Sequence, residues 1–461
     1  MVRIYFTSDL HGFAFPVNFK SDKNTLIIDG GDILQGSPLT QYCHRVLKDF
    51  TPIAEIVNKC GYNFITLGNH DFNFGLDALY GYINKLNARC LCENITAAGT
   101  PVFPYTIQTL DNGIKVGLVG VVTDFVNLWE KPENLAGITI TDTFNAAKQA
   151  NIKLKGKVDL QICVYHGGFE RDLETGRQLS TSTENIGCKI CEELDFDILL
   201  TGHQHAELPG RYYHGTYIIQ PQENGKSYAC LDVCFENDKK IISSKLCSGE
   251  DFSELPIPEL IPELEVWLDE EVGQLEKPLT VGDKVEMALN GSALADFFNH
   301  IQLSYSGAQL SATCLSNDAK GLPEIIKRSD IFAAYPYPNT FFVLEINGNQ
   351  LKTALERSAE YLDFIDGRFV ISDSFLKPKI AHYNYDFFAG IEFEVDYSKP
   401  KGSRVKWIKY NETEVTDEDT FTICVNNYRA AGGGDYPMYP LCPVVKEINM
   451  EMTDMLLDYF D

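Results

Sequence analysis

The first half of the chain alternates short apolar runs with longer amphipathic stretches. Val2-Arg3-Ile4-Tyr5-Phe6, Thr25-Leu26-Ile27-Ile28-Asp29, Phe64-Ile65-Thr66-Leu67, Leu160 to Tyr165 and Asp197 to Thr201 read as strands. Short runs rich in β-branched and aromatic residues fit a pleated, buried surface. Helical patterns lie between them. One opens at Thr51-Pro52, where the threonine can cap and proline is tolerated in the first turn, and another runs from about Gly75 to Asn87. This alternation predicts an α/β layered core over residues 1–249.

From Phe252 the pattern changes. Pro256, Pro258 and Pro262 punctuate the start of an acidic amphipathic helix at about 259–276, with Leu260, Leu264, Trp267, Leu268, Val272 and Leu275 along one stripe. Residues 250–278 therefore read as a linker carrying a helix. Residues 279–461 read as a separate α+β domain. Its helical patterns are Ser292 to Leu303, Gly348 to Tyr361 and Val444 to Phe460, with strands at Thr340 to Ile346, Ile391 to Tyr397, Val405 to Tyr410 and Phe421 to Val425.

Each of the five strands in the first half runs into residues suited to binding metal. The sequences that follow them are Asp9-Leu10-His11, Gly30-Gly31-Asp32, Gly68-Asn69-His70-Asp71, His166-Gly167-Gly168 and Gly202-His203-Gln204-His205. Ligands collect beyond the carboxyl ends of strands in α/β sheets, so five such ends can converge on one crevice. In extended backbone, residues two apart share a side, which lets Asp9 and His11, and His203 and His205, each present two ligands together. The mixture of imidazole, carboxylate and amide suits Mn²⁺, Fe, Zn²⁺ or Co²⁺ better than an all-oxygen calcium site. Two such ions about 3.5–4 Å apart can activate water and stabilise the attacking and leaving oxygens of a phosphoryl transfer.

The ordered set Asp-x-His, Gly-Asp, Gly-Asn-His-Asp, His, Gly-His-x-His resembles the calcineurin-like metallophosphoesterases. The resemblance implies a layered sandwich of sheets flanked by helices. It also implies one metal held by Asp9, His11, Asp32 and His205 and another by Asp32, Asn69, His166 and His203, with Asp32 bridging. His70 matches the family's non-ligand histidine, which faces the scissile phosphate and protonates or stabilises the leaving oxygen. Asp71 is the acidic residue that often follows it.

Charge and cysteine content narrow the setting. A net charge of -26 over 461 residues repels phosphates at long range. Two divalent ions against Asp9 and Asp32 reverse that sign locally. No basic stripe is visible to track a nucleic-acid polymer, and no apolar run is long enough to span a membrane. Thirteen cysteines, several in strongly apolar segments, suit a reduced compartment. Cys188-Lys189-Ile190-Cys191 lies in a helical pattern without a matching second pair, so packing is expected there. A strand beginning at Val2 leaves no room for a signal peptide, so the expectation is a cytoplasmic protein or a trimmed chain.

Three loops in the second half are rich in tyrosine and asparagine: Tyr335-Pro336-Tyr337-Pro338-Asn339-Thr340, His382-Tyr383-Asn384-Tyr385-Asp386, and Asn426 through Asp435. Aromatic faces on loops stack bases, and neighbouring polar groups read ribose and base edges. Together the loops resemble the C-terminal domain of the 5'-nucleotidase family. That resemblance makes Tyr337, Asn339, Tyr383, Asn384, Tyr428, Arg429, Gly433 and Asp435 the substrate-binding candidates. Tyr428 is the first choice for stacking, and Tyr337 and Tyr383 compete to be its partner. Gly68-Asn69-His70-Asp71-Phe72-Asn73 and Asn426-Asn427-Tyr428-Arg429-Ala430 look like the 2',3'-cyclic-nucleotide phosphodiesterase/3'-nucleotidase branch. The 5'-nucleotidase and UDP-sugar hydrolase branch more often has Asp at the place of Asn73, which leaves the partner of His70 open. The expected activity is hydrolysis of small nucleotides with two divalent metals. A 5'-nucleotidase or UDP-sugar diphosphatase is the first alternative, and an idle nucleotide-binding sensor the second.

Overall fold

The computed structural model describes residues 1–13, 19–178, 183–237, 239–249, 260–337, 339–377, 379–448 and 450–460. The expectations at Pro256, Pro258 and Pro338 lie outside the described residues. The chain divides into two compact units, Met1–Leu264 and Glu265–Asp461.

Two six-stranded sheets form the heart of the first unit. One has the order Lys239–Ser248, Ser227–Glu236, Val2–Thr7, Thr25–Asp29, Phe64–Ile65, Arg89–Cys90. The other runs Leu208–Tyr213, Thr216–Gln220, Ile198–Thr201, Leu160–His166, Lys115–Val122, Thr106–Thr109. Strand alternation assigns each residue to a layer. Val2, Ile4, Phe6, Leu26 and Ile28 meet Leu118, Ile162, Val164, Ile198 and Leu200 between the sheets. Tyr5 and Ile27 face outward to helices Thr51–Cys60 and Gly75–Ile83, while Val119, Cys163 and Tyr165 face Thr143–Leu154 and Gly187–Glu193. The layers are helix, sheet, sheet, helix. The strands from Val2, Thr25, Phe64 and Arg89 run parallel, as do those from Lys115, Leu160, Ile198 and Thr216, so in each sheet their carboxyl ends share one edge.

Several boundaries differ from the sequence expectation. Thr51 is the first residue of its helix rather than its cap, and its hydroxyl donates to Asp49 Oδ1 at 2.8 Å. The helix from Gly75 stops at Ile83, where the amides of Asn84, Lys85 and Leu86 fold back onto Tyr80, Tyr82 and Ile83. All thirteen cysteines are free, and Cys188 and Cys191 pack inside the apolar layer beneath Cys163.

The second unit is built on a five-stranded sheet with the order Asp386–Ala389, Leu310–Cys314, Thr420–Asn426, Phe341–Asn347, Val444–Ile448. Helices Ala293–Ser306 and Met452–Phe460 bury Phe298, Ile301, Met455 and Leu456 on one face. Helix Gly348–Ala359 buries Leu351, Ala354 and Leu355 on the other. Val444 to Phe460 is therefore not one helix. Its β-branched start joins the sheet edge beside Phe341–Asn347, and only Met452–Phe460 coils. The linker helix is likewise shorter than expected, Ile261–Leu268. Glu271–Gln274 forms a strand against Ile325–Lys327, and Val272 and Leu275 pack into the second unit's core. No helix among the described residues is long and apolar enough to cross a membrane.

Candidate metal and phosphoester site

The expected metal ligands lie just past strand ends, in backbone of an unexpected kind. Asp9, His11, Asp32, His203 and His205 have φ of 57°, 51°, 60°, 69° and 52°. The extended geometry inferred from the sequence is thus corrected to left-handed turns. Left-handed backbone costs a non-glycine residue roughly 1–2 kcal/mol, so the fold must hold these residues there. It does so partly through backbone bonds: Asp9 N–H donates to Gly31 O at 2.9 Å and His11 N–H to Asp32 O at 2.8 Å. Glycine provides the clearance. A Cβ on Gly68 would sit 2.1 Å from Asp32 Oδ1, and one on Gly202 would sit 2.6 Å from Asp9 Oδ2.

The side chains meet in two groups that share a residue. Asp9, His11 and His205 bring ligand atoms together, and so do Asp9, Asp32 and His166. His11 Nδ1 donates to Gln35 O at 2.8 Å and His166 Nδ1 to Gly30 O at 2.7 Å. A carbonyl only accepts, so in both neutral rings the inward Nε2 is a lone pair. His11 Nε2 lies 3.1 Å from His205 Nε2, and His166 Nε2 lies 3.1 Å from Asp32 Oδ2 and 3.9 Å from Asp9 Oδ1. His166 Nε2 is fully buried and has no hydrogen bond of acceptable geometry. The His11–His205 contact is closed if His205 carries its proton on Nε2, but a lone pair of His166 facing carboxylate oxygens at this range needs a cation between them. A proton is one remedy: burial opposes charge on His166, but Asp32 and Asp9 outweigh it and push its pKa up to about 10. Burial pushes His11 down to about 4, keeping that ring neutral. Divalent ions would relieve the whole cluster at once, so the residues present fit the expected cofactor.

Asp32 also lies 4.0 Å from His11 Nε2, which places its carboxylate toward both groups. Asn69 and His203 adjoin the second group and are paired with each other, Asn69 Oδ1 to His203 Nδ1 at 2.9 Å. The His203 ring is edge-on to His166 and stacked against Trp129, with centroids 5.6 Å apart in each case.

His70 and Asp71 separate in role. The His70 amide donates to Asp32 Oδ1 at 2.7 Å, and its ring lies 5.4 Å from that of His11. Its Nδ1 meets Asn73 Oδ1 at 2.8 Å, which supplies the partner left open by the sequence. Asp71 was expected to be catalytic, and its geometry corrects this. It is 2% exposed, and its two oxygens accept from the amides of Asp32, Ile33, Leu34 and Gly68 at 2.8–2.9 Å. Four donors saturate the carboxylate, so Asp71 shapes the Asp32 turn from behind.

The sequence reading missed the segment after the Lys115–Val122 strand. Trp129 stacks on His203, and Glu130 accepts from Asn73 Nδ2 at 2.7 Å and from Asn134 Nδ2 at 2.8 Å. The available signal was a further strand end in the same half. No histidine marked it.

In the second unit the tyrosine loops gather, with a different division of labour from that expected. Tyr337 and Tyr383 meet edge to face, centroids 6.1 Å apart at 68°, and Asn339 Nδ2 donates to the Tyr335 hydroxyl at 3.1 Å. Gly433 backs onto the Tyr428 ring, 2.5 Å from where a Cβ would stand. Asp435 lies 3.3 Å from Arg357. Arg429, expected to read substrate, is 1% exposed. It binds Asp386 through two nitrogens at 2.8 and 2.9 Å and donates to Tyr383 O, Gly433 O and Asn384 Oδ1. All five donors of the guanidinium are used. Arg429 therefore ties the loops of Tyr383 and Gly433 together.

Comparison with known proteins agrees with this architecture. The calcineurin-like phosphoesterase family model matches residues 2–207, and the 5'-nucleotidase C-terminal domain model matches residues 271–440. A Staphylococcus aureus structure, provisionally named a 5'-nucleotidase and in complex with alpha-ketoglutarate, is 34% identical, with a TM-score of 0.90 over 99% of this chain and 96% of that one. The trifunctional nucleotide phosphoesterase YfkN of Bacillus subtilis is 25% identical over 98% of this chain, which spans only 37% of that protein. The 2',3'-cyclic-nucleotide 2'-phosphodiesterase/3'-nucleotidase of Salmonella typhimurium is 25% identical over 89% of this chain and 75% of its own length. The chain belongs to the 5'-nucleotidase family with an N-terminal calcineurin-like phosphoesterase domain, a family of hydrolases acting on phosphoester bonds of nucleotides.

Proposed function

We propose that the protein hydrolyses phosphate esters of small nucleotides with two divalent metal ions, acting as a 2',3'-cyclic-nucleotide 2'-phosphodiesterase/3'-nucleotidase. The observation that carries this reading is the convergence of imidazole nitrogens and carboxylates around Asp9, Asp32, His11, His166 and His205, with the buried His166 Nε2 lacking a hydrogen bond. Asp9, His11, Asp32 and His205 would hold one ion, and Asp32, Asn69, His166 and His203 the other. Bound there, Mn²⁺, Fe, Zn²⁺ or Co²⁺ supplies Lewis acidity toward phosphoryl oxygens and activates water. The carbonyls of Gln35 and Gly30 hold two of the imidazoles with Nε2 inward. His70, held at Nδ1 by Asn73, gives as the imidazolium its Nε2 proton to the leaving oxygen as the P–O bond breaks, and is left as the neutral Nδ1–H ring. The loops of Tyr337, Tyr383 and Tyr428 supply base recognition. Asn73, in place of the Asp more frequent in the other branch, supports the cyclic-nucleotide assignment.

A 5'-nucleotidase or UDP-sugar diphosphatase is the second reading, favoured by the 34% identity to the S. aureus structure. Turnover of 2',3'-cyclic AMP, 3'-AMP, 5'-AMP and UDP-glucose with added Mn²⁺ decides between them. The proposal expects the first two to be preferred, and preference for 5'-AMP or UDP-glucose selects the alternative. Metal and nucleotide binding without turnover of any substrate would indicate a sensor.

A further inference from the structure

His70 is held by an asparagine, and that creates a problem the neighbouring residues solve. The two ends of an amide have nearly the same shape but opposite hydrogen-bonding character. If Asn73 presented Oδ1, His70 would carry its proton on Nδ1, and Nε2 would be available to exchange a proton. If it presented Nδ2, Nδ1 would have to be a lone pair, and an imidazolium would set two donors against each other. An aspartate in this place would have no such choice to make, because both of its oxygens accept.

Glu130 removes the ambiguity. It is 9% exposed, and its Oε1 accepts from the backbone amide of Lys131 at 2.8 Å and from Asn134 Nδ2 at 2.8 Å. Its Oε2 lies 2.7 Å from Asn73 Nδ2. Asn134 Nδ2 also donates to Asn73 O at 3.0 Å, fixing the backbone that carries the amide. Burial raises the Glu130 pKa, while the donors from Lys131, Asn134 and Asn73 favour its charged form. As a carboxylate Glu130 cannot donate, so the end of Asn73 that faces it is NH₂ and the end that faces His70 is oxygen. We propose that Glu130 is a positioning residue for His70, locking the Asn73 amide so that the histidine keeps its proton on Nδ1 and works through Nε2. This deepens the phosphoesterase reading and rests on it for the role of His70, although the tautomer itself does not.

The test is a double-mutant cycle with a spectroscopic readout. Glutamine at 130 can donate as well as accept, so Glu130→Gln frees Asn73 to turn. In the wild-type background kcat should fall by about 10–100-fold, the loss typical of outer-shell partners, with KM nearly unchanged. In an Asn73→Asp background the second carboxylate oxygen would face Glu130 as acceptor against acceptor, so the same change, which supplies a donor, should cost nothing or restore activity. Equal losses in both backgrounds would reduce Glu130 to a support for its own segment. Independently, ¹⁵N–¹H correlation of the His70 ring in the Zn²⁺-loaded full chain should show the Nδ1–H form, with Nε2–H gaining in Glu130→Gln. A wild-type ring carrying its proton on Nε2 alone, with Nδ1 bare, would overturn the inference even if no variant folded. Should the protein hydrolyse none of the nucleotides, the ring measurement still decides the lock, so the two failures are distinguishable.

Discussion

The candidate metal site and the tyrosine loops were both expected from residue types gathered at loops, yet the two regions use their polar groups differently. In the first unit the fully buried Nε2 of His166 faces the Asp32 carboxylate at 3.1 Å with no hydrogen bond of acceptable geometry, beside the Nε2 of His11 and the exposed His205, 3.1 Å apart. In the second unit the most conspicuous polar group, Arg429, is fully satisfied by its own loops. Burial penalises an unpaired polar group, so an unsatisfied cluster is retained only where something else completes it. A satisfied one is architecture. The same criterion separates His70 from Asp71, neighbours in sequence with opposite accounts of their side chains.

The sharpest way to break this comparison is at the shared carboxylate. Asp32→Asn should abolish more activity than the loss of a general acid, which costs about 10²–10⁴-fold, and should lower bound metal measured by elemental analysis. Normal metal content with normal turnover would show that the cluster is not a metal site. His70→Ala ranks next. Its kcat should drop by about 10²–10⁴-fold while metal content holds, because the ring is bonded to Asn73 and not to the ligand groups. Loss of metal in that variant would make His70 a ligand.

Arg429 tests the other side of the comparison. Removing one partner of a buried ion pair strands the second, at a cost of about 3–5 kcal/mol. Arg429→Met should therefore leave Asp386 uncompensated and lower the melting temperature of the full chain. A variant of unchanged stability with raised KM for nucleotides would return Arg429 to substrate binding.

Much of the first unit could be read before folding because one-dimensional order carries it. The apolar alternation of Val2 to Phe6 or Leu160 to Tyr165 assigns layers, and each strand end names its ligand. What escaped was whatever depends on backbone sign or on distant pairing. The positive φ of Asp9, His11, Asp32, His203 and His205 is imposed by the turns around them; Asp and His are enriched in such backbone, but too weakly for residue type to single out these positions. Glu130 meets Asn73 across 57 positions, and an acidic residue in a polar segment gives no hint of that. In the second unit, Val444–Ile448 reads as helix because its apolar spacing continues into Met452–Phe460, and only the free sheet edge beside Phe341–Asn347 turns it into a strand. Arg429 has the opposite fault. Its place beside Tyr428 suggests recognition, while Asp386, which neutralises it, lies 43 residues away.

The smallest expected effect tests whether the tyrosine loops bind a base at all. Tyr428 lies against Gly433, on the same short segment whose carbonyl at Gly433 binds Arg429, so its ring is held by architecture that Arg429 maintains. If the ring stacks on a base, Tyr428→Ala loses about 1–3 kcal/mol of binding, and KM for nucleotides rises by a few fold to about a hundredfold. The interaction is the same in the ground and transition states, so kcat should hold. A base-free ester such as bis-p-nitrophenyl phosphate has nothing to lose from the missing ring and should turn over nearly as before. That contrast excludes general damage, which would lower both activities together. An equal fall with nucleotide and base-free ester, at unchanged melting temperature, would remove Tyr428 from base recognition and leave the loops, like Arg429, to architecture.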